Sequence, residues 1–256
     1  MRVMVSKKDR STAAPRKVIS LFTGAGGLDI GFERAGFDVR VSVESDPACC
    51  MTLRRNRPEV NVINKKIEEV SSEEMMELAG LRPLDAALVI GGPPCQPFSL
   101  AGARKGLEDP KGMLLMEFIR VVREALPHGF VMENVRGLLN WDNGRAKEML
   151  MEEFQKPIVY KGRTYRYDVS VKLLNASEFG VPQKRERVFF VGNRLGVDFE
   201  FPRPTHADPE IAKRVGLKKI RTSWDAIGSL PPPEEPSETA KMVAQTIRGR
   251  IQRHGY

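Results

Sequence analysis

A cluster of glycines lies between an apolar run and a helical pattern near the start of the chain, and it constrains the fold more than any other segment. Residues 18–22 (VISLF) are apolar at four of five positions, as a buried strand is, and they lead directly into TGAGG at 23–27. The next segment, LDIGFERAGF, places Leu28, Phe32 and Ala35 at helical spacing. The order strand, glycine turn, helix is the opening unit of a doubly wound α/β sheet.

Further apolar runs alternate with helical patterns along the chain. The elements that they predict are strands at 39–43, 86–90 and 129–135, helices at 113–126 and 145–154, and two strand-like runs at 165–175 and 187–193. We expect the last two runs to pair antiparallel at the far side of the sheet. The predicted fold class is therefore α/β, with a doubly wound and mostly parallel sheet.

Charge and proline content divide the chain into three parts. Six Lys or Arg against one Asp give residues 1–17 a charge of +5, and nine basic against four acidic residues give 211–256 another +5, while the whole chain carries +8. The stretches FPRPTHADP and PPPEEPSE are too rich in proline to form regular core structure. We therefore predict a basic tail at 1–17, a main domain at 18–200, and a proline-rich excursion with a basic segment at 201–256.

The basic balance, with a sequence pI near 9.5, favours polyanionic partners such as nucleic acid, although a solubilising tail explains the N-terminal excess equally well. No apolar run approaches the roughly 20 residues that a bilayer helix needs, and no apolar segment follows the basic start. We therefore expect a cytoplasmic protein. The three cysteines, Cys49, Cys50 and Cys95, are too few and too poorly spaced for a disulfide framework or a zinc site, so an important cysteine is expected to be a nucleophile.

The glycine turn has an acidic residue at the spacing that a nucleotide-like cofactor uses. Glu44 follows the second predicted strand and stands 20 positions beyond Gly24, where its carboxylate can hold ribose hydroxyls. The turn lacks the third glycine of the pyrophosphate fingerprint, which favours a cofactor without a diphosphate, and S-adenosylmethionine is the obvious candidate. A tight turn that binds no ligand is the alternative.

A second unusual loop, GGPPCQPFS at 91–99, follows the third predicted strand. Open α/β sheets bind their ligands at the carboxyl ends of the strands, which is where this loop begins. Its prolines stiffen the approach to Cys95 and its glycines open space around the thiol, as in the presentation of a nucleophile. A buried structural cysteine is the alternative, and it is the commonest fate of a free thiol.

Together with VESD, MENV and QKRER, these segments occur in the order found in DNA cytosine-5 methyltransferases, and the sequence resembles that family over roughly residues 18–195. The resemblance implies a Rossmann-like fold that uses S-adenosylmethionine, and it makes 18–200 the catalytic and cofactor-binding domain. It also implies duplex DNA as partner, no metal, and a place at the nucleoid when the protein is bound to DNA.

The resemblance assigns roles residue by residue. Cys95 would add to C6 of cytosine, Glu133 of MENV would contact N3 and the exocyclic amine, and Arg187 of QKRER would contact the ring carbonyl. The implied catalytic set is Cys95, Glu133, Arg185 and Arg187. The residues that would line the cofactor are Phe22, Gly24, Gly26, Gly27, Glu44, Ile67, Pro93 and Leu114. Those expected near the nucleic acid are Gln96, Ser99, Gln183 and Lys184.

Physical chemistry agrees with these roles. An aromatic cytosine is a poor methyl acceptor at carbon, so a nucleophile must first add at the neighbouring ring position. Negative charge then develops on N3 and the carbonyl oxygen, where a protonated Glu133 and the cationic Arg187 can stabilise it. A base inside a duplex is inaccessible, so it must rotate out of the stack. Without Cys95, however, Glu133 fits a turn cap and the arginines fit a solvated basic face.

Two features depart from the family pattern. Lys66 precedes Ile67 where the family usually has an acidic residue for the adenine amine, and Glu68 is a possible substitute. The family's target-recognition domain and last two motifs are expected after residue 256. We therefore expect a second polypeptide to supply them, with the chain as the larger subunit of a split enzyme; a shortened single-chain enzyme is the rival. The apolar positions expected to contact that partner, between Lys241 and Tyr256, are Met242, Val243, Ile247 and Ile251.

Other functions remain open from the sequence. A tRNA cytosine-5 methyltransferase would share these motifs, and a non-catalytic remnant that binds DNA or the cofactor would share the glycine turn. A nicotinamide-dependent oxidoreductase would also share that turn, but it leaves GGPPCQPFS unexplained.

Overall fold

The computed structural model describes residues 16–94, 112–230, 238 and 241–246 of the chain. Three predicted site residues, Cys95, Gln96 and Ser99, lie outside the described residues.

The described residues include eleven strands and eight α-helices up to residue 227, and residues 241–246 are also helical. The strands are β1 (Arg16–Leu21), β2 (Phe37–Glu44), β3 (Asn61–Asn64), β4 (Leu88–Gly91), β5 (Gly129–Val135), β6 (Ile158–Tyr160), β7 (Arg163–Tyr165), β8 (Asp168–Asn175), β9 (Glu186–Asn193), β10 (His206–Ala207) and β11 (Lys218–Lys219). The helices are α1 (Gly27–Arg34), α2 (Pro47–Asn56), α3 (Ser72–Ala79), α4 (Gly112–Ala125), α5 (Gly137–Asn140), α6 (Arg145–Gln155), α7 (Pro209–Val215) and α8 (Ser223–Ile227).

Seven strands form one sheet in the order β3-β2-β1-β4-β5-β9-β8. The first five are parallel to one another, whereas β9 runs antiparallel to both β5 and β8. Helices cover both faces, because a parallel sheet needs crossover connections that lie on its faces. The prediction of a doubly wound, mostly parallel sheet with an antiparallel pair at its far side is confirmed.

Each face of the sheet has its own apolar cluster. On one face the largest cluster includes Phe118 of α4, Phe130 of β5 and Phe154 of α6, and the rings of Phe130 and Phe154 are stacked with centroids 4.2 Å apart. On the other face Val18 and Val39 pack with Leu28 and Phe32, the side chains whose helical spacing marks α1 in the sequence. The two clusters hold helices against the sheet from both sides, as the fold class requires.

Several elements extend beyond what the sequence indicated. Strand β1 already includes Arg16 and Lys17, which the sequence analysis placed in the basic tail. The described residues divide into two compact units, one of residues 16–94, 112–175 and 185–203 and one of residues 176–184, 204–230, 238 and 241–246. The second unit contains α7, α8 and the pair β10–β11 in a region that the sequence suggested was irregular. Strands of two residues show no periodicity, so apolar patterning could not reveal them.

A buried ionic network lies beneath the glycine turn. The Asp29 carboxylate on α1 is fully buried and accepts hydrogen bonds from Ser20 Oγ at 2.6 Å, Ser42 Oγ at 3.2 Å and Arg57 Nη1 at 2.9 Å. The Arg57 guanidinium, at the end of α2, also pairs with Glu33. Two adjacent strands and two helices therefore meet on one carboxylate, which is stable in the interior only because it is paired and hydrogen-bonded.

Arg57→Ala should lower the free energy of unfolding by about 3–5 kcal/mol, because it leaves the Asp29 carboxylate buried without its cation. Urea denaturation measures this change. The matched control is Lys65→Ala, which breaks the exposed pair with Glu74 and should change the free energy by no more than about 1 kcal/mol. Adding Asp29→Asn to Arg57→Ala should restore part of the loss, since the buried charge is gone. Equal effects of the Arg57 and Lys65 variants would contradict this account of the network.

Candidate active site

The parallel strands bring several predicted site segments to one edge of the sheet. Leu21 at the end of β1 pairs with Val43 of β2 and with Gly91 of β4, and Glu44 pairs with Asn64 of β3. The segments that follow these strands therefore lie side by side at the carboxyl edge, where open α/β sheets bind ligands.

The glycine turn after β1 brings backbone close to open space. Gly24 and Gly26 have φ values of +56° and +88°, which glycine adopts without the steric cost of a Cβ. A Cβ at Gly26 would lie 2.9 Å from Leu53 Cδ2, so this position has no room for a side chain. A Cβ at Gly24 or Gly27 would meet no heavy atom within 4 Å. The turn thus packs against α2 at Gly26, and it leaves room for a ligand at its other two glycines.

Glu44 is fixed against this turn by main-chain donors. Its Oε2 accepts a hydrogen bond from the Gly24 amide at 2.7 Å, and its Oε1 accepts one from the Asp46 amide at 2.8 Å. Asn64 Nδ2 donates to the carbonyls of Glu44 and Ser45 at 3.1 and 3.0 Å, which ties the end of β3 to the end of β2. A carboxylate oxygen accepts more than one hydrogen bond, so Glu44 can bind the turn and a ribose hydroxyl together.

Apolar side chains lie near the same edge. Ile67 begins a short 3-10 turn, Ile67–Glu69, and is buried, whereas the preceding Lys66 is exposed. Phe22 and Leu114 are half-buried and pack against the large core cluster. Pro93 is buried after β4. A cradle of glycine backbone, a fixed carboxylate and apolar side chains fits an adenosine group, which offers hydroxyls and a flat apolar ring.

On β5 and β9, the antiparallel pairing brings three predicted catalytic residues into contact. Glu133 Oε1 lies 2.9 Å from Arg187 Nε and 3.4 Å from Arg185 Nη2. The carboxylate side chain is 22% exposed and that of Arg187 25%, so this ion pair is partly shielded from water. A Cβ at Gly92 would lie 3.3 Å from Glu133 Oε2, which explains a glycine at this position after β4.

Asn134 is a candidate site residue that sequence reasoning missed. Its side chain is buried, its Nδ2 donates to the Pro93 carbonyl at 3.0 Å, and its Oδ1 accepts from the Val135 amide at 2.8 Å. Asn134 therefore anchors the chain two residues before Cys95. The sequence signal for this contact is the asparagine inside the MENV motif at the end of a predicted buried strand. A buried amide needs partners for both its donor and its acceptor.

Of the four residues predicted to lie near nucleic acid, the structure describes two. Gln183 and Lys184 are both exposed and belong to the second compact unit, where the Gln183 amide donates to the Val181 carbonyl at 2.8 Å. Arg185 begins the return to the first unit, and its amide donates to Asn175 Oδ1 at 3.1 Å.

Within the residues that the structure describes, no group of three His, Cys, Asp or Glu side chains is placed to hold a metal ion. Over the same part of the chain, no helix has both the length and the apolar character needed to cross a membrane.

The sheet order and the glycine turn with its acidic partner define a Rossmann-like fold, and the solved structure most similar in fold among those compared below is that of a methyltransferase. The family model described as C-5 cytosine-specific DNA methylase matches residues 16–251. The chain therefore belongs to that family, whose members use S-adenosylmethionine as methyl donor.

Several proteins are similar to this chain in sequence. Type II methyltransferase M.AquIA of Picosynechococcus sp. is 55% identical over 246 residues, which are 94% of this chain and 99% of that protein. M1.HphI of Haemophilus parahaemolyticus is 39% identical over 83% of this chain and 52% of its own length. M.FnuDI of Fusobacterium nucleatum is 43% identical over 73% of this chain and 51% of its own. The chain thus spans nearly all of the first protein and about half of the other two.

Two solved structures of methyltransferases are similar to this chain in fold. A protein assigned as a DNA modification methyltransferase encoded within a prophage (E. coli) has a TM-score of 0.64 and 29% identity, over 85% of this chain and 56% of that one. The S. pombe Dnmt2 methyltransferase has a TM-score of 0.54 over 73% of this chain and 52% of that one. Its identity is 18%, so this second likeness shows the fold alone.

Glu44→Gln should weaken binding of S-adenosylhomocysteine by roughly 10–100-fold, because an amide NH₂ would replace one carboxylate oxygen beside a main-chain donor. Isothermal titration calorimetry measures the dissociation constant. The control is Glu59→Gln, which removes an exposed carboxylate and should leave binding within about twofold. Unchanged binding by Glu44→Gln would remove Glu44 from the cofactor site.

Proposed function

We propose that this chain transfers a methyl group from S-adenosylmethionine to C5 of cytosine in DNA, as the catalytic part of a type II restriction-modification methyltransferase. The observation that carries the proposal is the contact of Glu133 with Arg187 and Arg185, at the same sheet edge as the glycine turn and next to the loop that leads to Cys95. This arrangement provides a hydrogen-bonding carboxyl and fixed cations for a pyrimidine ring.

The chemistry begins at Cys95. Its thiolate sulfur forms a bond to C6 of the ring, and the electron pair of the C5–C6 double bond becomes available at C5. The bound cofactor supplies the methyl group that C5 takes up. A base then removes the C5 proton, the C5–C6 double bond re-forms, and the Cys95 thiolate leaves. The donor leaves as S-adenosylhomocysteine, the C5 proton passes through the base to solvent, and the Cys95 thiolate is regenerated, so the reaction balances.

The two oxygens of Glu133 differ in their contacts. Both arginine contacts fall on Oε1, so Oε2, on the side of Gly92, is the oxygen that we assign to the base. When protonated, it donates a hydrogen bond to N3, where negative charge develops after the thiolate adds. The fixed Arg187 guanidinium stabilises the charge on the ring carbonyl, and Arg185 holds the carboxyl in place.

The proposed substrate is duplex DNA, and the target base must leave the stack to meet Cys95. The similar proteins M.AquIA, M1.HphI and M.FnuDI are type II methyltransferases, which favours DNA over transfer RNA. The excess of basic residues also favours a polyanion. Gln96, Ser99, Gln183 and Lys184 remain our candidates for contact with the nucleic acid.

Cys95→Ser should abolish covalent capture of the chain by a duplex that carries 5-fluorocytosine at the target. With S-adenosylmethionine and the second polypeptide proposed below both present, the parent should be trapped, because fluorine at C5 cannot leave as a proton does, and denaturing electrophoresis detects the adduct. Cys49→Ser is the matched control and should be trapped as the parent is. Burial raises the pKa of the Cys49 and Cys50 thiols, so both are poor nucleophiles at neutral pH.

Trapping of Cys95→Ser to the parent's extent would overturn the mechanism. Glu133→Gln serves as a companion variant, since the proposal has Glu133 act on the base alone. It should bind S-adenosylhomocysteine as the parent does while turnover falls by about 10²–10³-fold, the effect of losing one preorganised donor.

We also propose that a second polypeptide supplies target recognition. The aligned residues cover 99% of M.AquIA but only 52% of M1.HphI, so a short form of the family exists beside a long one. In the second unit, Met242 and Val243 are 63% and 50% exposed and Trp224 is 76% exposed. Exposed apolar side chains of this kind favour association. Ile247 and Ile251, which the sequence adds to this surface, lie outside the described residues.

The chain alone should bind S-adenosylhomocysteine but show little sequence-specific methyl transfer, and adding the polypeptide encoded next to its gene should restore transfer. Incorporation of labelled methyl groups into duplex DNA, with transfer RNA compared, measures this. Met242→Ser should weaken reconstitution because it removes exposed apolar surface, whereas Gln245→Ser at a neighbouring exposed position should not. Full site-specific methylation by these 256 residues alone would refute the two-chain proposal.

A further inference from the structure

Arg120 on α4 binds the backbone of a different element. Its Nη2 donates to the Ile67 carbonyl at 3.3 Å and to the Val70 carbonyl at 3.0 Å, and its Nη1 donates to Ser72 Oγ at 3.2 Å. These contacts cover the 3-10 turn Ile67–Glu69 and the start of α3. One side chain therefore fixes the segment that follows β3.

The guanidinium is itself held in place by its own helix. Arg120 Nε donates to Glu117 Oε2 at 2.8 Å, and Nη1 donates to Glu124 Oε2 at 3.0 Å. All three nitrogens of the group are thus hydrogen-bonded, and the two carboxylates limit its rotation. A cation held in this way keeps the distance between α4 and the Ile67 turn constant.

The strand order indicates what binds beside this turn. The strands run β3-β2-β1-β4 at the carboxyl edge, with Glu44 ending β2 and the loop to Cys95 following β4. Under the proposed function the ribose lies at Glu44 and the reacting end of the cofactor extends toward Cys95. The adenine must then extend the opposite way, toward β3 and Ile67. Helix α4 also carries Leu114, so the same helix provides an apolar side chain and the Arg120 contacts.

We propose that Arg120 is a positioning residue for the adenine end of the cofactor pocket, where it holds the Ile67–Val70 backbone at a fixed distance from Glu44. This inference rests on the proposed function. Arg120 acts through the main chain of the turn and does not touch the cofactor. Its loss should loosen the adenine side while leaving Cys95, Glu133 and the methyl-transfer chemistry unchanged.

Arg123, one turn further along α4, provides a matched control. Its Nη1 and Nη2 donate to the carbonyls of Lys156 and Pro157, both at 3.3 Å. It therefore binds backbone carbonyls of another element just as Arg120 does, but of the segment before β6. A purely structural contribution of such contacts should appear in both variants, whereas a contribution to the cofactor pocket should appear only at Arg120.

Arg120→Gln should raise the dissociation constants of S-adenosylhomocysteine and of free adenosine by the same factor, roughly tenfold, because the loss concerns the nucleoside end. Calorimetry on the full chain measures both. In the active enzyme the KM for S-adenosylmethionine should rise by that factor, with kcat and the KM for DNA within about twofold of the parent. Arg123→Gln should lower the Tm about as much as Arg120→Gln does, but it should leave both dissociation constants unchanged.

Two outcomes would overturn the inference: parental cofactor affinity in Arg120→Gln, or equal weakening in Arg120→Gln and Arg123→Gln. Arg120→Lys keeps the charge beside Glu117 and Glu124 but cannot span two carbonyls, so it repeats the test if the Gln variant fails to fold. It should show a smaller rise in both dissociation constants. A parent chain that binds neither S-adenosylhomocysteine nor adenosine would instead refute the proposed cofactor site, and this inference with it.

Discussion

The buried Asp29 carboxylate holds the first two strands of the chain against its first two helices. It joins Ser20 of β1, Ser42 of β2 and Arg57 at the end of α2, and it lies in the first turn of α1. A desolvated carboxylate tolerates few arrangements of its partners, so it fixes how the first two strands and helices pack. The glycine turn lies directly above this network, since Gly26 packs against Leu53 and Arg57. The shape of the candidate cofactor site thus follows from the ionic contact beneath it.

The sheet then separates the candidate cofactor residues from the candidate catalytic residues along one edge. The glycine turn and Glu44 belong to the two strands that the Asp29 network joins, whereas Glu133 lies two strands away on β5. The reversal of β9 brings Arg187 opposite Val135, and so within reach of Glu133. Because β9 runs antiparallel to β5 and β8, it begins at the edge where the parallel strands end. A strand parallel to β8 would instead begin at the opposite edge, after a long crossover. The antiparallel direction of β9 therefore places Arg185 and Arg187 at this edge.

Polar side chains that bind main-chain carbonyls hold the loops of this edge. Asn134 holds Pro93 before the Cys95 loop, and Arg120 holds the turn at Ile67. The physical reason is the same for both, because a carbonyl in a partly buried loop needs a hydrogen-bond donor. When the donor belongs to a rigid strand or helix, it fixes the position of that carbonyl. Loops that carry reacting groups need this support because their own backbone makes few regular hydrogen bonds.

Local patterns in the chain were enough to predict the strand and glycine turn at 18–27, strand β5 at its observed bounds and the fold class, because apolar periodicity and turn chemistry act over a few neighbouring residues. The motifs also indicated Glu44, Glu133 and the arginines of QKRER as candidates. Periodicity could not reveal the contact of Arg57 with Asp29 or of Arg120 with Ile67, nor the small second unit. Those partners are 28 and 53 residues apart in the chain, and only the packing of helices on the sheet brings such distant groups within hydrogen-bonding distance.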